Sequence, residues 1–423
     1  MLSCRNLLHL FDSLTSNMKY IKDIKMKHSF IEQRKTQNIR PVMLLNKEKF
    51  YDDLLNIEHS WSGRTDIWSI GNTFIMEAEQ QLINALELFE QGYFDCAYYS
   101  IRSAIDISTT IVFLADMPEK EREEFLVAWK ETKDFPMQGQ MIKLLSTKGN
   151  IFIDMKEKMN EFFSDAKKLS AELNKYVHKQ GLKHFYISRN HPFNANKSQN
   201  DFIENFEYYF KRSIGVVAVM RLAIDPFPIL LMDEEILYRC FDSMTEPYKD
   251  NFVDEYIGNG TINAYKTTEI YQGVYNSFIQ YERKTEAVFN VVKHQYIDSR
   301  KMDELLQQLS LMSKEDIISV LMVYACDKGV KTYCQGGFYM YFTDKNTYRK
   351  ATSWCSMDFE AFAKAEKPIN QPYDEAYISV FLFDNEAYCV EHNEQLDNDD
   401  IANILGIVTG ALFKIKEFLI EES

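Results

Sequence analysis

The segment AELNKYVHKQG, residues 171–181, carries the residue types best suited to chemistry in this chain: Asn174 and, four positions on, His178. Imidazole titrates near pH 6.5, so His178 is a candidate general acid or base that needs no metal. Residues four apart share a column on a helix, which sets Asn174 and His178 together beside one apolar stripe. The same spacing occurs earlier in Arg102 and Asp106. An arginine can grip phosphate oxygens and stabilise the negative charge that develops during cleavage. If the two helices pack together, Arg102, Asp106, Asn174 and His178 form one polar cluster at the edge of a bundle core. Each pair also has a structural reading. A charged His178 in the last turn of a helix is worth about 0.3–1 kcal/mol, with Lys179 and Gly181 completing an ordinary terminator. Arg102 and Asp106 can form an ion pair along their own helix, worth about 0.2–0.5 kcal/mol.

Other candidates read as structure. RNHPFN (189–194) places Arg189 and His191 in a polar connection beside Pro192. DNDD (397–400) lacks the spacing and glycine of a calcium loop and suits a helix start, where acids are favoured. The aromatic residues at 206–210 and at Tyr271, Tyr275, Phe278 and Tyr281 fall at helical spacing, which points to packing rather than to stacking of bases. The seven cysteines lie far apart, without a CxxC pair or a Cys/His cluster, so reduced and mostly buried thiols are expected. There is no phosphate loop, dinucleotide fingerprint, nucleophile elbow or zinc-protease helix. No cofactor and no metal are therefore expected.

The elements that must position the cluster are helical. From Asn72, read as an N-cap, apolar residues at 75, 78, 82, 85/86 and 89 form one stripe, ended by Gly92. A second stripe runs Phe94, Ala97/Tyr98, Ile101, Ala104/Ile105, Ile111/Val112 and Ala115, up to Pro118. The short link predicts an antiparallel pair. Shorter helices are expected at 119–133 and 138–147. A long one follows Gly149-Asn150 and runs through Phe152, Met155, Met159, Phe162, Ala166, Leu169, Leu173 and Tyr176 to a stop at Gly181. A further helix covers about 199–224. The domains read as a partly helical leader (1–60), a helical bundle (61–228), a helical extension (229–300) and a C-terminal α+β domain (301–423).

In that last domain, helices are expected at 302–311 and 314–326, the second capped by Ser313. GGFYMYFT and TYRKATSWC, joined by DKN, read as one hairpin. AYISVFLF and EAYCVEH, joined by DN, read as another. Helices near 358–366 and 398–420 complete an antiparallel sheet with helices on one side. The fold class is mainly α, with a C-terminal α+β domain.

A net charge of −15 argues against non-specific coating of nucleic acid. Residues 1–40 run the other way, with eight Lys/Arg against three acids, and read as a mobile leader or a basic arm for an anionic partner. No apolar run reaches the roughly 18–20 residues that span a bilayer, and no signal-peptide order is seen at the N-terminus. A cytoplasmic protein without a membrane partner is expected.

The stretches GYFDCAYYSIRSAIDIS and LNKYVH resemble the HEPN superfamily, four-helix bundles of toxin and anti-phage systems, many of them metal-independent RNases. The family signature is an Arg, a polar residue often Asn, three further residues and a His. Asn174 to His178 match it, but Leu173 stands where the Arg belongs, and none of the thirteen arginines stands five to seven residues before a histidine. The likeness covers about 72–224. It implies an RNA-linked, defence or toxin–antitoxin binding or regulatory module and a homodimer with facing sites. Losing one transition-state stabiliser typically costs about 10²–10³ in rate, so at most a weak metal-independent endoribonuclease is implied. The alternatives are a protein-interaction scaffold and an RNase in which Arg102 replaces the missing Arg.

Overall fold

The computed structural model describes residues 41–60, 67–185, 199–240, 245–345, 355–373 and 376–421. The chain divides into two compact units. One holds the described residues of Met1–Met232 and Thr245–Tyr275, the other those of Asp233–Met244 and Asn276–Ser423. The stretch 229–300, read from sequence as one helical extension, is shared between them. Readings placed on residues 1–40 and on Arg189 and His191 lie outside the described residues.

The first unit is helical: α1 (Lys47–Glu58), α2 (Ile67–Glu90), α3 (Phe94–Asp116), α4 (Glu119–Lys130), α5 (Gln138–Lys148), α6 (Ile151–Lys158), α7 (Asn160–Val177) and α8 (Gln199–Leu222). The three-residue link at 91–93, with Gly92 at φ 86°, folds α3 back along α2. The predicted stripe of α3 is the buried face: Phe94, Ala97, Tyr98, Ile101, Ala104, Ile105, Ile111 and Val112 are all in the core. α3 is the centre of the unit and also packs on α5, α7 and α8.

The structure differs from two of these expectations. Asn72 is not a cap, because α2 begins at Ile67. It is a buried helix residue whose Oδ1 accepts from Arg221 Nη1 at 2.7 Å. The single helix expected over 150–181 breaks at Met159 (φ −106°, ψ 36°), which separates α6 from α7. α6 needs its own start, and Asp116 at the end of α3 supplies it. Its carboxylate accepts from the backbone N–H groups of Asn150, Ile151 and Phe152 at 3.1, 2.9 and 2.8 Å.

The second unit is built on a six-stranded sheet: β1 (Tyr296–Ile297), β2 (Gly329–Cys334), β3 (Tyr339–Thr343), β4 (Gln371–Tyr373), β5 (Ala376–Phe383) and β6 (Glu386–His392). The strand order is β1-β3-β2-β6-β5-β4. The β5–β6 hairpin forms as expected. Its Asp384-Asn385 turn has positive φ at both residues, the type I′ arrangement that matches strand twist. The other hairpin differs from expectation. β3 pairs with β2 on one side and β1 on the other, and the expected partner run 347–355 lies outside the described residues except for Cys355. The sheet is mixed rather than purely antiparallel, since β1 runs parallel to β3.

Helices cover both faces of the sheet, not one. Glu286–His294, Lys314–Ala325 and Asn398–Glu421 contribute Val288, Ile318 and Ile404 to a core with Phe381 and Val390. Ser356–Lys364 sets Phe359 against Tyr333, Ile378 and Cys389 on the opposite face. Ser313 caps its helix in a capping box with Asp316. Residues 302–311 divide into a short helix at Met302–Gln307 and a 3₁₀ turn at Leu309–Leu311. No helix among the described residues is long and apolar enough to cross a membrane.

Candidate functional site

Three of the four predicted site residues meet. α3 carries Arg102 and Asp106 beside its buried stripe, and α7 carries Asn174 beside Leu173. Arg102 Nε donates to Asn174 Oδ1 at 2.8 Å, and Nη2 donates to Gln138 Oε1 at 3.0 Å. Nη1 pairs with Asp106. Gln138, in the first turn of α5, also donates to Thr109 Oγ1 at 3.4 Å. Each nitrogen of the guanidinium thus has an internal partner, and its side chain is only 12 % exposed. Asp106 is more open, yet burial on its protein side raises its carboxyl above the usual range, with Arg102 pulling the other way.

His178 stands apart from this network. It caps the C-terminus of α7, where its backbone N–H donates to Asn174 O at 2.8 Å. Its side chain is exposed, and its ring makes no hydrogen bond among the described residues. The charges beside it are already spent: Lys179 pairs with Asp95, and Lys175 with Glu172. Leu173, which holds the signature's Arg position, is fully buried. An arginine there would enter the bundle core, where an unpaired charge is costly.

The buried histidine of this region is His184. Its Nδ1–H donates to Gln180 O at 2.6 Å, and its ring meets the edge of Tyr176 at 5.0 Å. Tyr176 stacks on Tyr98 at 4.3 Å, and Asn205 donates to both hydroxyls. Periodicity placed these tyrosines in the core. The role of Gln138 had no sequence signal beyond its place after Pro136.

Next to the Arg102 network lies a cavity of about 550 Å³ among α3, α5, α6, α7 and α8. Its floor is apolar: Ile105, Phe152, Phe163, Val216 and Met220 are buried and line it. Gln138 and Asn174 border it on the Arg102 side. Since Asn174 Oδ1 accepts from Arg102, its amide N–H groups remain as donors at the cavity wall. Lys143, Lys156 and Lys167 also line it, whereas no Asp or Glu does. Among the described residues the ammonium groups of these lysines form no salt bridge, and of the three only that of Lys156 has a hydrogen bond, to Ser146 Oγ at 2.8 Å.

Of the other sequence candidates, the acids at 397–400 have a structural role. Asp397 Oδ1 accepts from the N–H groups of Asp399 and Asp400, each at 2.9 Å, at the start of the last helix. The cysteines at 240, 326, 334 and 389 are buried, whereas Cys96 and Cys355 are exposed, and none of the six is in a disulfide. Among the described residues no cluster of three or more His, Cys, Asp or Glu could hold a metal ion.

No family model, curated protein or solved structure gives a significant match to the chain.

Proposed function

We propose that this chain is a HEPN-like, RNA-linked binding or regulatory module whose nuclease chemistry is absent or weak. One observation carries the reading: Arg102, the arginine available to replace the missing one, spends its guanidinium on Asn174, Gln138 and Asp106, while the His178 ring lies outside that network. A phosphate-gripping arginine needs a free bidentate edge. Here Asp106 already neutralises Arg102, and a phosphate would have to displace it. The lysines at 143, 156 and 167 supply unspent positive charge nearby, as phosphate contact requires.

The test is incubation of labelled cellular RNA with the purified protein without added metal, comparing wild type, His178→Ala and Arg102→Ala. The expected result is salt-sensitive retention of RNA with no cleavage by any of the three. Cleavage by wild type that both substitutions abolish would replace this reading with that of an active RNase. Absence of any retention would remove RNA from the reading.

A second reading, self-association, is favoured by Leu182 and Phe185, which are 72 % and 41 % exposed just beyond His178. Large apolar side chains left open beside a polar site mark contact surfaces. They suit the homodimer with facing sites that the HEPN likeness implies.

A further inference from the structure

We infer that the cavity bordered by Asn174 is a binding site for a small amphipathic anion, an apolar body ending in a carboxylate or phosphate. Its volume of about 550 Å³ falls in the range of small-molecule sites, roughly 300–1,000 Å³. The floor is built from side chains that are already buried, so it exists without rearrangement and offers contact to an apolar body alone. An apolar floor favours an apolar guest because water gains little against such side chains.

The wall selects charge. Lys143, Lys156 and Lys167 come from three different helices, α5, α6 and α7, and all line this one cavity. No carboxylate lines the cavity, although the chain as a whole carries −15. A merely solvated surface of so acidic a protein would have mixed signs here. The amide of Asn174 adds a neutral donor whose orientation is held by Arg102. Ser170, one turn before Asn174 on α7, adds a hydroxyl. Carboxylate and phosphate heads satisfy the same donors, and the apolar floor requires that either be attached to a hydrocarbon or aromatic body.

This inference goes beyond RNA association. RNA phosphates would touch only the lysine rim, whereas the ligand must fill the floor. The two are separated by Ser170→Trp, which closes the cavity and leaves the lysines in place.

The experiment is calorimetric titration of the full chain with decanoate and decyl phosphate below their micelle concentrations, decanol below its solubility limit, and inorganic phosphate. The expected result is saturable one-to-one binding of decanoate, decyl phosphate or both, with the tighter of the two revealing the head group. Decanol should bind at least about tenfold more weakly and inorganic phosphate not measurably, since both parts of the ligand contribute. Ser170→Trp should abolish binding while RNA retention and melting temperature persist. Should that variant fail to fold, Lys143→Gln/Lys167→Gln, at two exposed positions, should lower anion affinity about tenfold and leave decanol unchanged. Equal binding of decanol and decanoate overturns the anionic assignment. No saturable binding of any decyl probe overturns the site.

Discussion

Arg102 and Asn174, seventy-two positions apart in the chain, are joined by an Nε–H···Oδ1 hydrogen bond of 2.8 Å that ties α3 to α7. This contact gives Arg102 a structural task, fastening one helix to another. The same guanidinium also reaches α5 through Gln138, so one side chain links three helices around the cavity.

Arg102→Ala should therefore act on stability more than on RNA. It strands the acceptors of Asn174, Gln138 and Asp106 at a partly buried position, at a cost of about 1–3 kcal/mol in denaturant unfolding. Arg102→Lys should recover little of that, because a single ammonium cannot serve three divergent acceptors as a planar guanidinium does. RNA retention should change less than about twofold, a difference of under about 0.5 kcal/mol. A tenfold loss of retention in a folded Arg102→Ala protein would return this arginine to a ligand-contacting role.

Glu79 on α2 gives the first unit a pH dependence. It is 4 % exposed, and burial, with a smaller contribution from the charge of Glu58, raises its carboxyl to about 8. Its folded value lies above its unfolded value near 4.5, so the native state holds the proton more tightly. The associated stability is complete below pH 4.5 and is lost as pH rises through 8, by an amount on the order of 4 kcal/mol. Glu79→Gln, a neutral isostere, should unfold like wild type at pH 5 and be distinctly more stable at pH 9. Parallel pH profiles of the two proteins would refute the assignment.

Asp116 should behave as a cap acting from another helix. Asp116→Ala leaves three N–H groups at the start of α6 without acceptors and should cost about 2 kcal/mol. Hydrogen exchange is the sharper measurement: protection should fall first at Asn150, Ile151 and Phe152. Asp116→Asn, with one acceptor oxygen, should fall between the two.

In the second unit, Lys331 and Glu391 form a buried pair at 3.8 Å, and Tyr333 donates to Glu391 Oε2 at 2.8 Å. Lys331→Met alone abandons a buried carboxylate and should cost about 3–5 kcal/mol. Lys331→Met/Glu391→Gln removes both charges and keeps an acceptor for Tyr333. Most of the stability should return in that double variant, as a thermodynamic cycle would measure.

Local pattern alone determined a good part of this protein. The stripes of α2 and α3 and the stop at Gly92 follow from 3.6-residue periodicity and from glycine's tolerance of positive φ. The β5–β6 hairpin follows from two β-rich runs around Asp-Asn. Those signals lie within a few residues of each other, so the chain displays them before it folds. Other features have no local signature. All six residues of β2, GVKTYC, are buried, so that strand shows no alternation of apolar and polar residues and was not legible. The break at Met159 has neither proline nor glycine to announce it. The start of α6 is satisfied by an aspartate more than thirty residues away. Sequence placed Arg102, Asp106 and Asn174 beside the stripes of their own helices, but only the packing of α3 against α7 could join them, and the same packing left the His178 ring outside. The cavity belongs wholly to the tertiary structure. It is the space that five helices, each with an ordinary apolar face, leave between them, and no spacing along the chain encodes such a gap.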